Sequence, residues 1–258
     1  MVSGKAVSDL LCRHAFDSPN WRSLRVKVVA GDFLNHGFAV IETDTSLEQM
    51  QMLIQIFLSR FLPRFESDPI RNRNIIKLFA EELNVKRFFC GLDIDGILRD
   101  NLGMVEPVQT GPIVTHYTAN DLTGGNYGLP YHQDWPSMGT STKGVIAWVS
   151  ITDSKQDSAG VTVVPGSQLF GLWPGEQTDM GYVVHKQAFD KALDVEVRLG
   201  QILLMSPWLV HKTRYAKSGS GWKLSLSCRF DDVNCPEWNR RNYISAYRTS
   251  VDRRAYKN

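Results

Sequence analysis

From about residue 110 to residue 230 the sequence is a succession of short β-rich runs cut apart by turn residues, and this limits the fold more than any other feature. Pro112-Ile113-Val114-Thr115-His116-Tyr117 is the first run and His132 to Trp135 the second. Gly144 to Ile151 is almost continuously apolar and ends at Thr152-Asp153. Ser158-Ala159-Gly160 turns the chain into Val161-Thr162-Val163-Val164, which stops at Pro165-Gly166-Ser167. Asp194 to Leu199 alternates in polarity and turns at Gly200 into Ile202 to Met205, and Lys223 to Phe230 is the last run. β-branched and aromatic residues bounded by Gly, Pro, Asp and Ser at this spacing imply an all-β barrel or sandwich.

The residues before this region read as helical support. Phe33 to His36 gives a helix end, Gly37 its stop, and Phe38 to Glu42 a short buried strand. Asp44-Thr45-Ser46-Leu47-Glu48 supplies a cap and an acidic first turn. The helix it opens carries Met50, Leu53, Ile54, Phe57 and Phe61 at helical spacing, a stripe made for core packing. A second helix is expected over Asn74 to Leu83, with Ile75, Ile76, Phe79 and Leu83 as its apolar face. Residues 1 to 25 are mixed in character and read as a loose lead-in. The tail from Asp231, with Trp238, Tyr243 and Tyr247 among arginines, reads as a helix packed on the outside. At 258 residues the expectation is one mainly β domain with flanking helices. It comprises N-terminal support over about 1–110, a β-barrel core over about 111–230 and a C-terminal extension over 231–258.

Charge and cysteine content exclude several functions. The net charge is +2 with both signs interspersed, which offers no electrostatic case for nucleic acid or a membrane surface. No apolar stretch follows the N-terminus as a secretory signal, and none reaches the length of a membrane span. The four cysteines, Cys12, Cys90, Cys228 and Cys235, show no metal-binding spacing, so free thiols in a reducing cytoplasm are expected. A small-molecule partner and a monomer or homodimer fit this profile.

Two patterns carry chemistry. In Tyr131-His132-Gln133-Asp134-Trp135, His132 and Asp134 are two residues apart, so on a strand both leave the same face. With a second histidine they would form a 2-His-1-carboxylate facial triad, which holds Fe(II) on one side and leaves positions open. His211 is the candidate third ligand. The other pattern is the last run, where Leu224, Leu226, Cys228 and Phe230 share one face and Lys223, Ser225, Ser227 and Arg229 the other. A polar face on an interior strand requires partners or a wet cavity; a solvated edge strand is the alternative. Lys223 and Arg229, six residues apart, are separated by roughly 20 Å along a strand and cannot hold the same small carboxylate.

In order, these features resemble the phytanoyl-CoA dioxygenase family of Fe(II)/2-oxoglutarate-dependent oxygenases. The matching residues are Tyr131 to Trp135, Val145 to Val149 with Asp153, Val163 to Gln168, Leu199 to Gln201, His211, and Lys223 to Phe230, with Gly37 to Ile41 as an N-terminal strand. The resemblance implies a double-stranded β-helix (jelly-roll), with His132, Asp134 and His211 as iron ligands. It implies that Gln133 and Trp148 line the 2-oxoglutarate pocket and that Tyr117 and Thr213 donate to the co-substrate. Where the family carries an arginine at the start of the last strand, this chain has Lys223, a point charge without arginine's bidentate fork. Lys223 is the preferred partner of the distal carboxylate, with Arg229 or Arg214 as alternatives.

The implied reaction consumes 2-oxoglutarate and dioxygen, releases succinate and CO₂, and hydroxylates an unactivated C–H bond. Aspartate at 134, where related halogenases have a small residue, argues for hydroxylation, with desaturation or ring closure as variants. A cupin-type metal enzyme independent of 2-oxoglutarate and a binding protein without turnover are the rival classes, and the single carboxylate with two histidines argues against both. Residues 68–73 and 172–182 are expected as lid loops, with Arg71 and Arg73 as candidate attractors of an anionic group.

Overall fold

The computed structural model describes residues 27–119, 128–152, 159–178, 181–185, 189–215 and 222–244. The N-terminal lead-in, Cys12, Asp153 and Tyr247 lie outside these residues.

Two antiparallel sheets form the body of the fold. The larger one runs β1 (Val28–Asp32), β2 (Phe38–Glu42), β11 (Gln201–Met205), β6 (Val145–Ser150), β13 (Trp222–Asp232) and β3 (Pro107–Gln109), with β4 (Val114–Ala119) also paired to β13. The smaller one runs β10 (Leu193–Val195), β7 (Gly160–Val163), β12 (His211–Arg214), β5 (His132–Gln133), β9 (Gly181–Val184) and β8 (Gly175–Thr178). Neighbours in space are seldom neighbours in sequence, as a double-stranded β-helix requires. The expected barrel does not close among the described residues. Each ladder ends at its own edge strands, and the two sheets pack as open layers.

Strand alternation explains how the large sheet is buried on both sides. Ala39, Ile41, Ala147, Val149, Ile202, Leu204, Leu224 and Leu226 face one way, into a core shared with the helices. Phe38, Val40, Ile146, Trp148, Leu203 and Met205 face the other way and meet Val161, Val163 and Val195 of the small sheet. This is why residues 145–149 are apolar without alternation, the pattern of a strand covered on both faces.

The helices cover the first of these cores. Ser46 caps Leu47–Ile56 by accepting from Gln49 N–H, as its sequence predicts. The helix continues as a π-turn over Phe57–Phe61, and the Phe57 ring lies 5.2 Å from the rings of both Phe79 and Tyr117. This aromatic cluster pins the helices to β4.

The second helix departs from expectation. It spans Pro69–Ala80, starting five residues earlier than Asn74, and a separate helix follows at Leu83–Cys90. The Asp68 carboxylate accepts from Ile70 and Arg71 N–H, and Pro69 occupies the first turn, so the start is fixed at the cap rather than by the apolar stripe. Residues 69–73 are therefore helix, with Asp68 as its cap, and not a lid loop. Most of 172–182 is likewise ordered structure: β8 and β9 pair with each other, and β9 pairs with β5, extending the small sheet. The run expected over Asp194–Leu199 forms a ladder only at Leu193–Val195. The tail supplies a short Pro236–Arg240 helix, with Trp238 buried edge-on against Tyr243.

Leu226 has no exposed surface and lies on the helical face of β13. Leu226→Ala should cost about 2–5 kcal/mol through lost burial and residual cavity, read as a lower urea midpoint at unchanged m-value.

Candidate metal centre

His132 and His211 stand directly opposite each other across the β5–β12 pair, and their ring centroids are 4.0 Å apart. Each imidazole is oriented in the same way. His132 Nδ1 lies 2.8 Å from Pro130 O and His211 Nδ1 lies 3.0 Å from Leu209 O, in both cases the carbonyl two residues back. A carbonyl only accepts, so each Nδ1 carries the proton and each Nε2 presents its lone pair.

Asp134 completes the group from just beyond the strand. β5 covers only His132 and Gln133, and Asp134 takes a helical conformation at the start of the Trp135–Met138 turn. The expected convergence of the two side chains still holds, with Asp134 Oδ1 3.4 Å from His132 Nε2. The three ligand atoms lie within 4.8 Å of one another, and all three residues are buried. Two neutral imidazoles and one carboxylate, preset by backbone acceptors, suit a divalent transition metal with open positions.

The other carboxylate oxygen faces a cation. Arg229 Nη2 donates to Asp134 Oδ2 at 2.9 Å and Nη1 donates to Ser227 Oγ at 2.7 Å, while His116 Nε2 lies 2.8 Å from the same hydroxyl. A polar chain thus links His116, Ser227, Arg229 and the metal carboxylate. Burial alone would raise the Asp134 pKa, but the Arg229 cation beside it outweighs burial and holds the carboxyl well below the usual range. Burial, then His132, pushes His211 down to about 4. Burial, then Arg229, pushes His116 down to about 3.

A cavity of about 610 Å³ opens against this centre. Its wall on the large sheet includes Lys223, Ser225, Ser227, Arg229 and Trp148, and the opposite wall includes His132, His211 and Thr213. The polar face of the last strand, expected from alternation, therefore lines a cavity, while its apolar face closes the helical core. Lys223 is 3% exposed and its Nζ sits 4.7 Å over the Trp148 ring. Lys223 and Arg229 occupy separate stations on the wall, as their spacing requires.

Other expected residues are placed less simply. Gln133 borders the cavity, but its carboxamide donates to the Gly171 and Trp208 carbonyls and accepts from Trp173 N–H, tying the chain before β8 to the ligand strand. Tyr117 also borders the cavity, yet its ring packs among Phe57, Phe65 and Trp222, because it is paired with Leu224 on the core side of the sheet. Thr213 Oγ1 accepts from Leu129 N–H. Arg214 is not among the cavity residues; it is buried 3.9 Å from Asp194 and so drops out as the co-substrate cation. His116 is the residue that sequence reasoning missed. Its signal was present: one step before Tyr117 on an alternating strand, it had to face the opposite side.

The two depressed histidines set the acid response of the metal-free protein. In the unfolded chain both titrate near the ordinary histidine value of 6.5, whereas the folded chain stays neutral at His211 to about 4 and at His116 to about 3. The unfolded state binds more protons in that window, so stability is full above 6.5 and falls as pH drops through it. His116→Gln should flatten the decline of the urea midpoint between pH 7 and pH 4.

Comparison with known proteins bears on this geometry. No curated protein sequence matches this one. Among solved structures, the epimerase SnoN in complex with Fe3+, alpha ketoglutarate and nogalamycin RO aligns at TM-score 0.58 and 15% identity, over 88% of this chain and 84% of that one. The non-heme alpha ketoglutarate dependent carbocyclase SnoK from nogalamycin biosynthesis aligns at TM-score 0.57 and 12% identity, covering 86% and 87%. HygX from Streptomyces hygroscopicus, with nickel and 2-oxoglutarate bound, aligns at TM-score 0.54 and 18% identity, covering 80% and 86%. At these identities the likeness is one of fold. The family model for phytanoyl-CoA dioxygenase (PhyH) matches residues 33–223, most of the chain and all three candidate ligands, so the protein belongs to the phytanoyl-CoA dioxygenase family.

Proposed function

We propose that the protein is an Fe(II)- and 2-oxoglutarate-dependent dioxygenase that hydroxylates an unactivated C–H bond of a small molecule, with release of succinate and CO₂. The observation that carries this reading is the buried His132–Asp134–His211 group, with both Nδ1 atoms tied back. It lies on the wall of a cavity that also contains a lysine.

Iron and 2-oxoglutarate, when bound, supply the oxidising chemistry with dioxygen; the chain supplies position and exclusion. His132, Asp134 and His211 hold the metal. Arg229 keeps Asp134 ionised and restrains its second oxygen. Lys223 Nζ, buried over Trp148, takes the distal carboxylate of the co-substrate as a point charge. Thr213, whose oxygen already accepts from Leu129, keeps its O–H to donate, and Tyr117 borders the same cavity. Gln133 braces the ligand strand from behind.

Desaturation or ring closure with the same cofactors is the second reading, ring closure being favoured by the carbocyclase among the structural neighbours. A site independent of 2-oxoglutarate gains nothing from the buried Lys223. Residues 1–258 are read as one functional unit, because the helices and the large sheet share a core. We read the location as cytoplasmic from the spacing of the four cysteines, which offers no paired motif. No helix among the described residues is long and apolar enough to cross a membrane. The near-balanced charge supports a small-molecule partner rather than nucleic acid, for a monomer or homodimer.

Anaerobic titration of the Fe(II) protein with 2-oxoglutarate tests the reading. A weak visible charge-transfer band should develop with the native chain and be absent in His132→Ala and His211→Ala, whose circular dichroism stays native. Lys223→Ala should raise the 2-oxoglutarate concentration at half-saturation about tenfold or more, the scale of one lost charge-assisted hydrogen bond. Native iron content without a band would overturn the assignment. If Arg229→Ala shifts the midpoint and Lys223→Ala does not, the cation is Arg229.

A further inference from the structure

His116 is tied to its neighbours at one edge of its ring only. Ser227 Oγ accepts from Arg229 Nη1 at 2.7 Å, because a guanidinium can only donate. The hydroxyl's own proton then has one described acceptor, His116 Nε2 at 2.8 Å. The opposite assignment, with Nε2 donating, would leave the Ser227 proton unpaired on a residue 1% exposed. The hydrogen-bond partners thus assign the tautomer. Donation runs from Arg229 through Ser227 to Nε2, and the neutral imidazole carries its proton on Nδ1.

That Nδ1–H has no partner within the fold. Among the described residues nothing accepts from it, and the atom is not one of the buried polar atoms sealed without a hydrogen bond. His116 borders the cavity, so the donor opens into it. Ser225 stands directly opposite His116 in the β4–β13 register and also borders the cavity, and its hydroxyl likewise has no partner among the described residues. Val114 and Thr118 flank His116 on the same face of β4, and both are cavity residues. His116, Ser225 and Thr118 bring hydrogen-bonding groups but no charge. Strand order separates them from the lysine expected to hold the co-substrate. Over Ser225–Ser227, β13 lies between β6 and β4. Lys223 reaches over Trp148 of β6, whereas His116 stands on β4, along the other edge of β13.

We propose that His116 and Ser225 form the substrate subsite for an uncharged acceptor oxygen, a carbonyl, ether or hydroxyl, which takes the hydrogen bond from Nδ1. This deepens the proposed function and rests on it for the co-substrate lying on the Trp148 side. The bonds His116–Ser227, Ser227–Arg229 and Arg229–Asp134 join the donor to the Asp134 carboxylate, so an oxygen held there stands in fixed relation to the candidate metal ligands. Such a donor selects through what it leaves unpaired. A molecule without the oxygen strands the Nδ1–H, and an ammonium group meets another donor.

The test is calorimetric titration of the anaerobic Fe(II) protein, saturated with 2-oxoglutarate, with probes of one shape: cyclohexanone, methylenecyclohexane and cyclohexylamine. Cyclohexanone should bind about fivefold more tightly than methylenecyclohexane, the scale of one neutral hydrogen bond, and more tightly than cyclohexylamine. His116→Asn sets an amide N–H near the Nδ1 position and should keep this preference. His116→Gln keeps an acceptor for Ser227 but has no donor at the Nδ1 position, and should bind the ketone and the alkene equally. A second readout is nuclear magnetic resonance of the Zn(II) protein isotopically labelled at histidine nitrogen. The ring signals that vanish in His116→Asn should show a protonated Nδ1 and a bare Nε2, and the Nδ1–H resonance should move with cyclohexanone and not with methylenecyclohexane. A proton on Nε2, no binding of cyclohexanone, equal affinity of the native protein for ketone and alkene, or an undiminished ketone preference in His116→Gln would overturn the proposal. Failure of 2-oxoglutarate to bind would instead count against the proposed function, and the same titrations on the Fe(II) protein alone would still decide the role of His116.

Discussion

The fold and the site both depend on one strand that is buried on both faces. β13 is eleven residues long and pairs with β3, β4 and β6. Only Trp222 on it keeps appreciable exposure. Its Leu224, Leu226, Cys228 and Phe230 close the core beneath the helices, and its Lys223, Ser225, Ser227 and Arg229 stand in the cavity. A buried polar face is tolerable only where each group has a hydrogen bond, an opposite charge or a π-face to meet. The strand therefore dictates what must stand opposite: an acid for Arg229, and an aromatic ring beside Lys223.

The acid is also the candidate metal carboxylate, so the geometry of that group and strand burial are one problem. Arg229 offsets the desolvation of Asp134 before any metal arrives, and the two imidazoles are held by carbonyls of their own chain. A site whose ligands are oriented by separate partners loses little freedom on binding, which is the advantage of preorganisation. The ordering of the site also extends backward from the ligands. Gln133 points away from the metal and joins β5 to the segment leading into β8, so the small sheet is braced by the residue between two ligands.

What was legible in the sequence was what local periodicity determines. Alternation on residues 223–230 assigned both faces of β13, and the Ser46 cap and the Gly37 stop marked their helix ends, the latter with φ of 79° that a side chain would strain. The candidate ligands were legible as an ordered set, because His132, Asp134 and His211 follow one another among strands of matching type. The hairpin of β8 and β9 was not, since Gly175-Glu176-Gln177-Thr178 has no apolar alternation and is a strand only through its partners. The helix start at Asp68-Pro69 was not legible from periodicity, because it lies ahead of the apolar stripe that begins at Ile75. Tyr117 and His116 show the same limit at single-residue scale. A strand position fixes a face, but only the register with Leu224 and Ser225 shows which face looks at the metal.

The division of β13 also governs how such an enzyme can diverge. Substitution at 223, 225, 227 or 229 alters charge and hydrogen bonding in the cavity while leaving the packed volume under the helices untouched. A single inserted or deleted residue would do the reverse. It would turn Leu224 and Leu226 toward the metal and drive Arg229 into the aliphatic core. This stretch can thus explore new cofactor and substrate preferences by point change, but its length is fixed.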